Sequence, residues 1–209
     1  MSVVLDDVFA GIFVSVPPGH VATIYDRGRG VLKKILRPGL HFKLPIWQKA
    51  KLFNVQTLEY TIRRGDSENT KKSLLDEEPV IATTADGVKI EVEGTVLFRL
   101  DENRIPEIWQ TIGEDFLEKV VKPVTRNRIG SGIGTFKSSD LFSLNRNIVE
   151  ETIQKRLFEA FMARGIILED FLLGGVVLSS DRQKEDKYPE QKEIKESTSK
   201  EKIEGILEN

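Results

Sequence analysis

Two histidines, 33 carboxylates and no cysteine bound the chemistry open to this 209-residue chain. Without cysteine there is no disulfide, no thiolate nucleophile and no sulfur-ligated metal. A histidine base or metal ligand needs other polar groups converging on it. His20 and His41 stand 21 residues apart in a β-prone stretch, with no carboxylate between Asp26 and Glu59. Each lies close to a turn glycine, which points to a structural role. Asp86 reads as a turn former and Asp140 as a helix cap. The acidic groups Asp6/Asp7 and Asp76/Glu77/Glu78 fall in polar stretches with no apolar surroundings to raise a pKa, so they read as solvated charge. The cluster GSGIG at 130–134 has the glycine content of a phosphate loop. Such a loop follows a strand, opens a helix and carries Lys-Ser/Thr. Here the glycines follow a helical pattern and lack that pair, so the expectation is a helix stop with a flexible connection. No catalytic, cofactor or metal set converges, and the expectation is a protein that is not an enzyme.

One constellation does point to an interaction. Residues 27–51 contain eight basic side chains, Arg27, Arg29, Lys33, Lys34, Arg37, Lys43, Lys49 and Lys51, and no Asp or Glu. Leu36, Leu40, Phe42, Ile46 and Trp47 are interleaved with them. Basic charge draws anionic headgroups at about 1 kcal/mol per residue near a bilayer, and Trp favours the half-wet interfacial layer. Pro38 and Pro45 would shape loops able to dip toward lipid. The candidate membrane-surface contact is therefore Arg27, Arg29, Lys33, Lys34, Arg37, Phe42, Lys43, Trp47, Lys49 and Lys51. The competing reading is a set of strands with a lysine-rich outer face and with Phe42 and Trp47 in the core. Nucleic acid is disfavoured, because stacking aromatics are sparse and the net charge is −2.

The elements that must position these residues change character along the chain. The apolar run 8–16 is too short for a membrane span, which needs about 20 residues. It lacks the basic flank and cleavage site of a signal peptide. It reads either as a first buried strand, which its β-branched content and the Pro17-Pro18-Gly19 stop favour, or as the stub of an anchor lying upstream. Strand patterns follow at 21–26, 40–44 and 51–62, with turns at Gly28-Arg29-Gly30 and Pro38-Gly39. Residues 63–78 read as a polar surface loop. The Asp86-Gly87 pair then predicts a tight hairpin. Beyond it Val88, Ile90, Val92, Val96, Phe98 and Leu100 line one face, as a half-buried strand requires, with Gly94 breaking the series.

The period then becomes helical. Asp101 or Asn103 caps a short helix through Trp109 that ends at Gly113. A second helix spans about 114–129 with a kink or division near Pro123. A third is capped by Ser138, Ser139 or Asp140 and stopped at Arg164-Gly165, with Ile148, Ile153, Leu157, Phe158 and Phe161 as its apolar stripe. Residues 166–178 return to a β pattern, so the fold class is α+β. In 181–209, 16 of 29 residues are charged, which reads as an exposed tail with short helical pieces and not a sustained coiled coil.

The segment VPPGHVATIYDRGRGVLKKILRPGLHFKLPIWQKAKLFNVQTLEYTI resembles the opening of an SPFH (band 7) domain. TADGVKIEVEGTVLFRLD is similar to that family's second-half strand, ending in the pair Phe98-Arg99. TIGEDFLEKVVKPVTRNRI resembles a helix of the prohibitin-like branch, and TFKSSDLFSLNR with RGIILEDFLL resembles the closing segment. The resemblance covers residues 14–178. It implies antiparallel strands in a membrane-proximal first subdomain (8–78), strands with helices packed on the sheet in a second (79–179), and a charged tail (180–209) able to begin a helical segment. It further implies a membrane-associated, non-enzymatic scaffold, peripheral or held by an anchor outside this chain. Such subunits form homo-oligomeric rings or cages that organise membrane microdomains and regulate membrane proteins such as AAA proteases. The alternative is a soluble adaptor of a membrane protease without lipid contact.

Overall fold

A computed structural model describes residues 11–64, 78–142 and 146–179. The expected tail, most of the 63–78 loop and the carboxylates Asp6, Asp7, Asp76 and Glu77 lie outside the described residues. The chain is α+β, as its patterns predict. Its first half builds two small antiparallel sheets. Strands β1 (Phe13–Val16) and β4 (Gly39–Phe42) form a two-stranded ribbon. Strands β2 (His20–Asp26), β3 (Gly30–Leu36) and β5 (Gln48–Asn54) form a sheet in the order β3-β2-β5.

Alternation gives this sheet two apolar faces. Val21, Phe53 and Ile35 turn toward the main core. Ala22, Ile24 and Leu36 turn the other way, where Val14 and Val16 of the ribbon cover them. The N-terminal run is therefore no buried strand as a whole. Among its described residues only Val16 is buried, and Phe13 stays exposed, because a two-stranded ribbon has just one face to pack. Residues 1–10 lie outside the described set.

The expected single strand over 51–62 is two. After β5 the backbone amide of Val55 bonds the Gly19 carbonyl, and a new strand, β6 (Leu58–Ile62), begins. It joins a different sheet, pairing with the long β8 (Lys89–Leu100). The short β7 (Val80–Thr83) lies beside β6 on the same edge of β8, and β9 (Ile166–Leu178) runs along the other edge. In β8 burial alternates strictly, with Ile90, Val92, Val96, Phe98 and Leu100 inward. Gly94 interrupts the series for a packing reason: a Cβ there would sit 3.0 Å from the Leu172 carbonyl and 3.3 Å from the Phe171 ring.

The helices pack on this second sheet. Asp101 accepts the Asn103 amide at 2.9 Å to start a 3₁₀ turn, which leads into α1 (Ile105–Thr111). Gly113, at φ +92°, ends it. The second helix is divided near Pro123, as expected. Residues 117–121 form a π-helical turn, and α2 (Lys122–Ile133) follows with Pro123 in its first turn, where a missing amide costs nothing. The glycine cluster stops this helix only at its last residue. Gly130 and Gly132 are inside α2, and Gly134 caps it. The reason is tertiary: a Cβ on Gly132 would lie 2.6 Å from Cγ1 of Ile153 on α4 (Arg146–Met162). Before α4, the single turn α3 (Ser138–Leu141) uses the caps expected for the long helix, with Asp140 accepting the Lys137 amide at 3.2 Å. In α4 the buried side chains are Val149, Ile153, Leu157, Ala160 and Phe161. Ile148 and Phe158 of the expected stripe are exposed, because the sheet lies under the adjacent arc of the helix.

Candidate functional site

The turn from β2 to β3 is built on Asp26. This aspartate sits two residues before a glycine, the arrangement in which a carboxylate binds its own turn. Its Oδ1 accepts the backbone amides of Gly28 (3.0 Å) and Arg29 (3.1 Å). Its Oδ2 accepts Arg29 Nη2 at 2.9 Å and the Gln48 side-chain amide at 3.0 Å. Asp26 is buried. The Arg29 guanidinium first, and then the Gln48 amide, hold its carboxyl well below the usual carboxylate range, and Arg29 is pushed up in return. Gln48 is also buried, and it passes the connection on. Its Oε1 accepts the Leu44 amide at 2.9 Å, and its backbone amide donates to the Leu44 carbonyl at 3.0 Å.

These bonds close the loop between β4 and β5, residues 43–47. Arg27 donates its amide to the Trp47 carbonyl at 3.0 Å, tying the loop to the same turn. Within it Ile46 has φ +71°, a left-handed conformation that crowds a β-branched side chain and costs about 1–3 kcal/mol. Such strain persists where surrounding bonds over-determine the backbone. Leu44, Ile46 and Trp47 all face outward from this loop. Ile46 is 74 % exposed and Trp47 61 %.

The ribbon extends this apolar edge. Phe13 pairs with Phe42 in register, and their rings meet edge-on at 6.3 Å between centroids. Leu40 shares the parity of Phe42, so Phe13, Leu40 and Phe42 occupy the ribbon's outer face, with Val14 and Val16 inward. Phe42 is 63 % exposed. Six large apolar side chains thus project to solvent from one ribbon and the loop that leaves it. Isolated exposed leucines are ordinary, but a gathered set of this kind marks a contact surface.

The ten candidate residues do not all share this edge. Phe42 and Trp47 lie on it, so the reading that places them in the core is not what the fold does. Lys43 reaches back to the Gln48 carbonyl at 3.5 Å. Lys33 and Lys34 are exposed on the edge strand β3, where the register against β2 shifts and extra residues bulge out. Charged side chains at a bulged edge also keep other strands from pairing there. Arg27, Arg37 and Lys49 are exposed. Arg29 is committed to Asp26, and Lys51 to Glu114 in an ion pair that ties β5 to the helical half. Trp109 on α1 strengthens that tie, edge-on to Tyr25 (6.4 Å) and Phe53 (6.3 Å).

Sequence reasoning did not single out Phe13, Leu44, Asp26 and Gln48. The signal for Asp26 was present: it is the last carboxylate before an all-basic run and heads the turn DRGRG. Nothing local marks Gln48. Each histidine has a backbone carbonyl beside its ring. Nδ1 of His20 lies 3.2 Å from the Pro18 carbonyl, and Nε2 of His41 lies 2.6 Å from the Arg37 carbonyl. Asp86 holds its turn, with Gly87 at φ +82°. It also accepts the Ser138 amide (3.0 Å) and hydroxyl (2.6 Å), clamping α3 to the hairpin. Those Ser138 bonds, with one from the Thr84 hydroxyl, lower its pKa to about 2. Among the described residues no group of His, Asp or Glu is placed to hold a metal ion, and no helix is long and apolar enough to cross a membrane.

An SPFH ribbon-and-sheet half followed by a helix-covered sheet is what the motif order implies, and residues 14–205 match the model of the SPFH domain / Band 7 family. The chain belongs to the SPFH domain / Band 7 family. Its SPFH relatives include Prohibitin 1 of Gallus gallus, 29 % identical over 159 residues, which cover 76 % of this chain and 52 % of that protein. Prohibitin-1 of Schizosaccharomyces pombe is 28 % identical over 158 residues, covering 74 % and 49 %. Prohibitin-7, mitochondrial, of Arabidopsis thaliana is 26 % identical over 156 residues, covering 75 % and 50 %. The chain spans about half the length of these curated relatives.

Proposed function

We propose that this chain is a non-enzymatic, membrane-associated scaffold subunit that touches an anionic bilayer with its ribbon edge and self-associates into rings or cages. Such an assembly would organise membrane microdomains or regulate membrane proteins, AAA proteases among them. The observation that carries this reading is the apolar edge of Phe13, Leu40, Phe42, Leu44, Ile46 and Trp47, all exposed on one ribbon and the loop that leaves it. Fully burying a side chain such as Leu, Ile or Phe gains about 1.5–3 kcal/mol, so partial entry of a few of them into the interfacial layer suffices for reversible binding. Lys33, Lys34 and Arg37 add attraction to anionic headgroups that salt weakens. Membership of the SPFH family and kinship with prohibitins support the scaffold role.

The test is flotation of the full chain with phosphatidylcholine–phosphatidylserine vesicles against phosphatidylcholine alone. Binding that prefers the anionic vesicles and falls when Lys33 and Lys34 are both changed to Glu supports the reading. Absence of flotation, combined with capture of a membrane protease in solution, would replace it with the soluble-adaptor reading. Light scattering addresses assembly separately, and a strict monomer at high concentration would refute self-association by this chain.

A further inference from the structure

The loop that presents Leu44, Ile46 and Trp47 contains no regular secondary structure. Its backbone includes a β-branched residue at positive φ. Left to itself, such a loop would relax Ile46 into the β or α region and scatter the three side chains. It is held instead from below. Gln48 Oε1 bonds the Leu44 amide, and Gln48 Nε2 bonds Asp26, whose other contacts are the turn amides of Gly28 and Arg29 and the Arg29 guanidinium. Arg27 and Trp47 close the ring through their backbones. Asp26 and Gln48 are both buried, so neither is placed to meet a lipid.

We propose that Asp26, acting through Gln48, is a positioning residue for the apolar edge: a buried carboxylate sets how well the 43–47 loop engages a membrane. This inference rests on the membrane reading above. A preformed loop loses less conformational freedom on binding, so affinity depends on the clamp as well as on the side chains that touch lipid.

The full-length chain, with Trp109→Phe so that Trp47 is the sole tryptophan, is titrated with phosphatidylcholine–phosphatidylserine vesicles while Trp47 emission is followed. Asp26→Asn keeps the shape of the turn and removes the charge that Arg29 and Gln48 address. It should weaken partition by about tenfold, the scale of one charge-assisted hydrogen bond losing its ionised acceptor. The swap Asp26→Asn/Gln48→Glu restores an amide–carboxylate pair across the same gap and should recover most of the affinity. Asp86→Asn, which removes a comparably bonded carboxylate from the other half of the molecule, is the control. It lowers the unfolding midpoint while leaving partition unchanged.

If Asp26→Asn binds as tightly as the parent while Trp47→Ser, read by flotation, abolishes binding, the membrane reading stands and the positioning role is refuted. A swap as weak as the single variant also refutes it. If the parent protein shows no emission change and no flotation, the membrane reading fails, and the role built on it fails with it.

Discussion

Replacing Gly132 by alanine, and Gly130 by alanine as its twin, should move stability in opposite directions within one helix. Both glycines lie inside α2, where exchange for alanine gains about 0.5–1 kcal/mol from backbone entropy and propensity. At Gly130 a new Cβ meets nothing within 4 Å, so that gain is kept. At Gly132 the Cβ falls 2.6 Å from Ile153 Cγ1 and 3.5 Å from its Cδ1. Ile153 is fully buried, and Cγ1 is the inner part of a χ1-restricted side chain, so it cannot swing aside cheaply. Overpacking of this kind costs about 1–3 kcal/mol. The net for Gly132→Ala is a loss of about 0.5–2 kcal/mol. For a chain of 209 residues, about 2–4 °C per kcal/mol converts these into a rise of roughly 1–4 °C for Gly130→Ala and a fall of roughly 1–8 °C for Gly132→Ala. Calorimetry on the two variants reads both numbers. A third measurement isolates the cause. In an Ile153→Ala background the space is vacated, so adding Gly132→Ala should be neutral or stabilising, a coupling of about 1–3 kcal/mol. Equal stabilisation at both positions would refute the close-packing argument.

Three further outcomes follow from other parts of the molecule. Changing Phe42 and Trp47 together to serine should lower partition onto anionic vesicles by at least about tenfold, since even half of an aromatic side chain's burial is worth about 1 kcal/mol, while circular dichroism stays unchanged because neither ring is in the core. Ile46→Asn should leave the unfolding midpoint level or raised, because asparagine tolerates a positive φ, and yet weaken vesicle flotation. The Asp86 carboxyl is lowered to about 2 in the fold. Its contribution to stability is therefore complete above the ordinary carboxylate pKa near 4 and is lost as pH falls through that window toward 2. Unfolding midpoints measured across it should fall less steeply for Asp86→Asn than for the unchanged protein.

What could be read from the residues, and what could not, divides by the range of the physics involved. The hairpin at Asp86-Gly87 and the inward face of β8 follow from turn chemistry and period-two alternation, both settled within a few residues, and the structure has them as predicted. The glycines at 130 and 132 carry the same local signal as a helix stop. Both are nevertheless helical, and at 132 only a glycine leaves room for Ile153, twenty-one positions on, a demand that no pattern inside GSGIG encodes. The division of 51–62 is likewise a decision between two sheets. Asn54 and Gln56 mark an interruption, but only the pairing partner β8 makes it a change of sheet. At the candidate site the basic and aromatic residue types were legible, yet which of them face outward together was not. That depends on the ribbon closing over Ala22 and Ile24, which leaves Phe42 no core to enter. The clamp was hidden for the same reason: Asp26 and Gln48 lie 22 positions apart and meet only because β2 and β5 pair in that register. The edge proposed to touch lipid is thus set by a strand register, and variants that keep its surface side chains but disturb that register test it more sharply than changes to its charge.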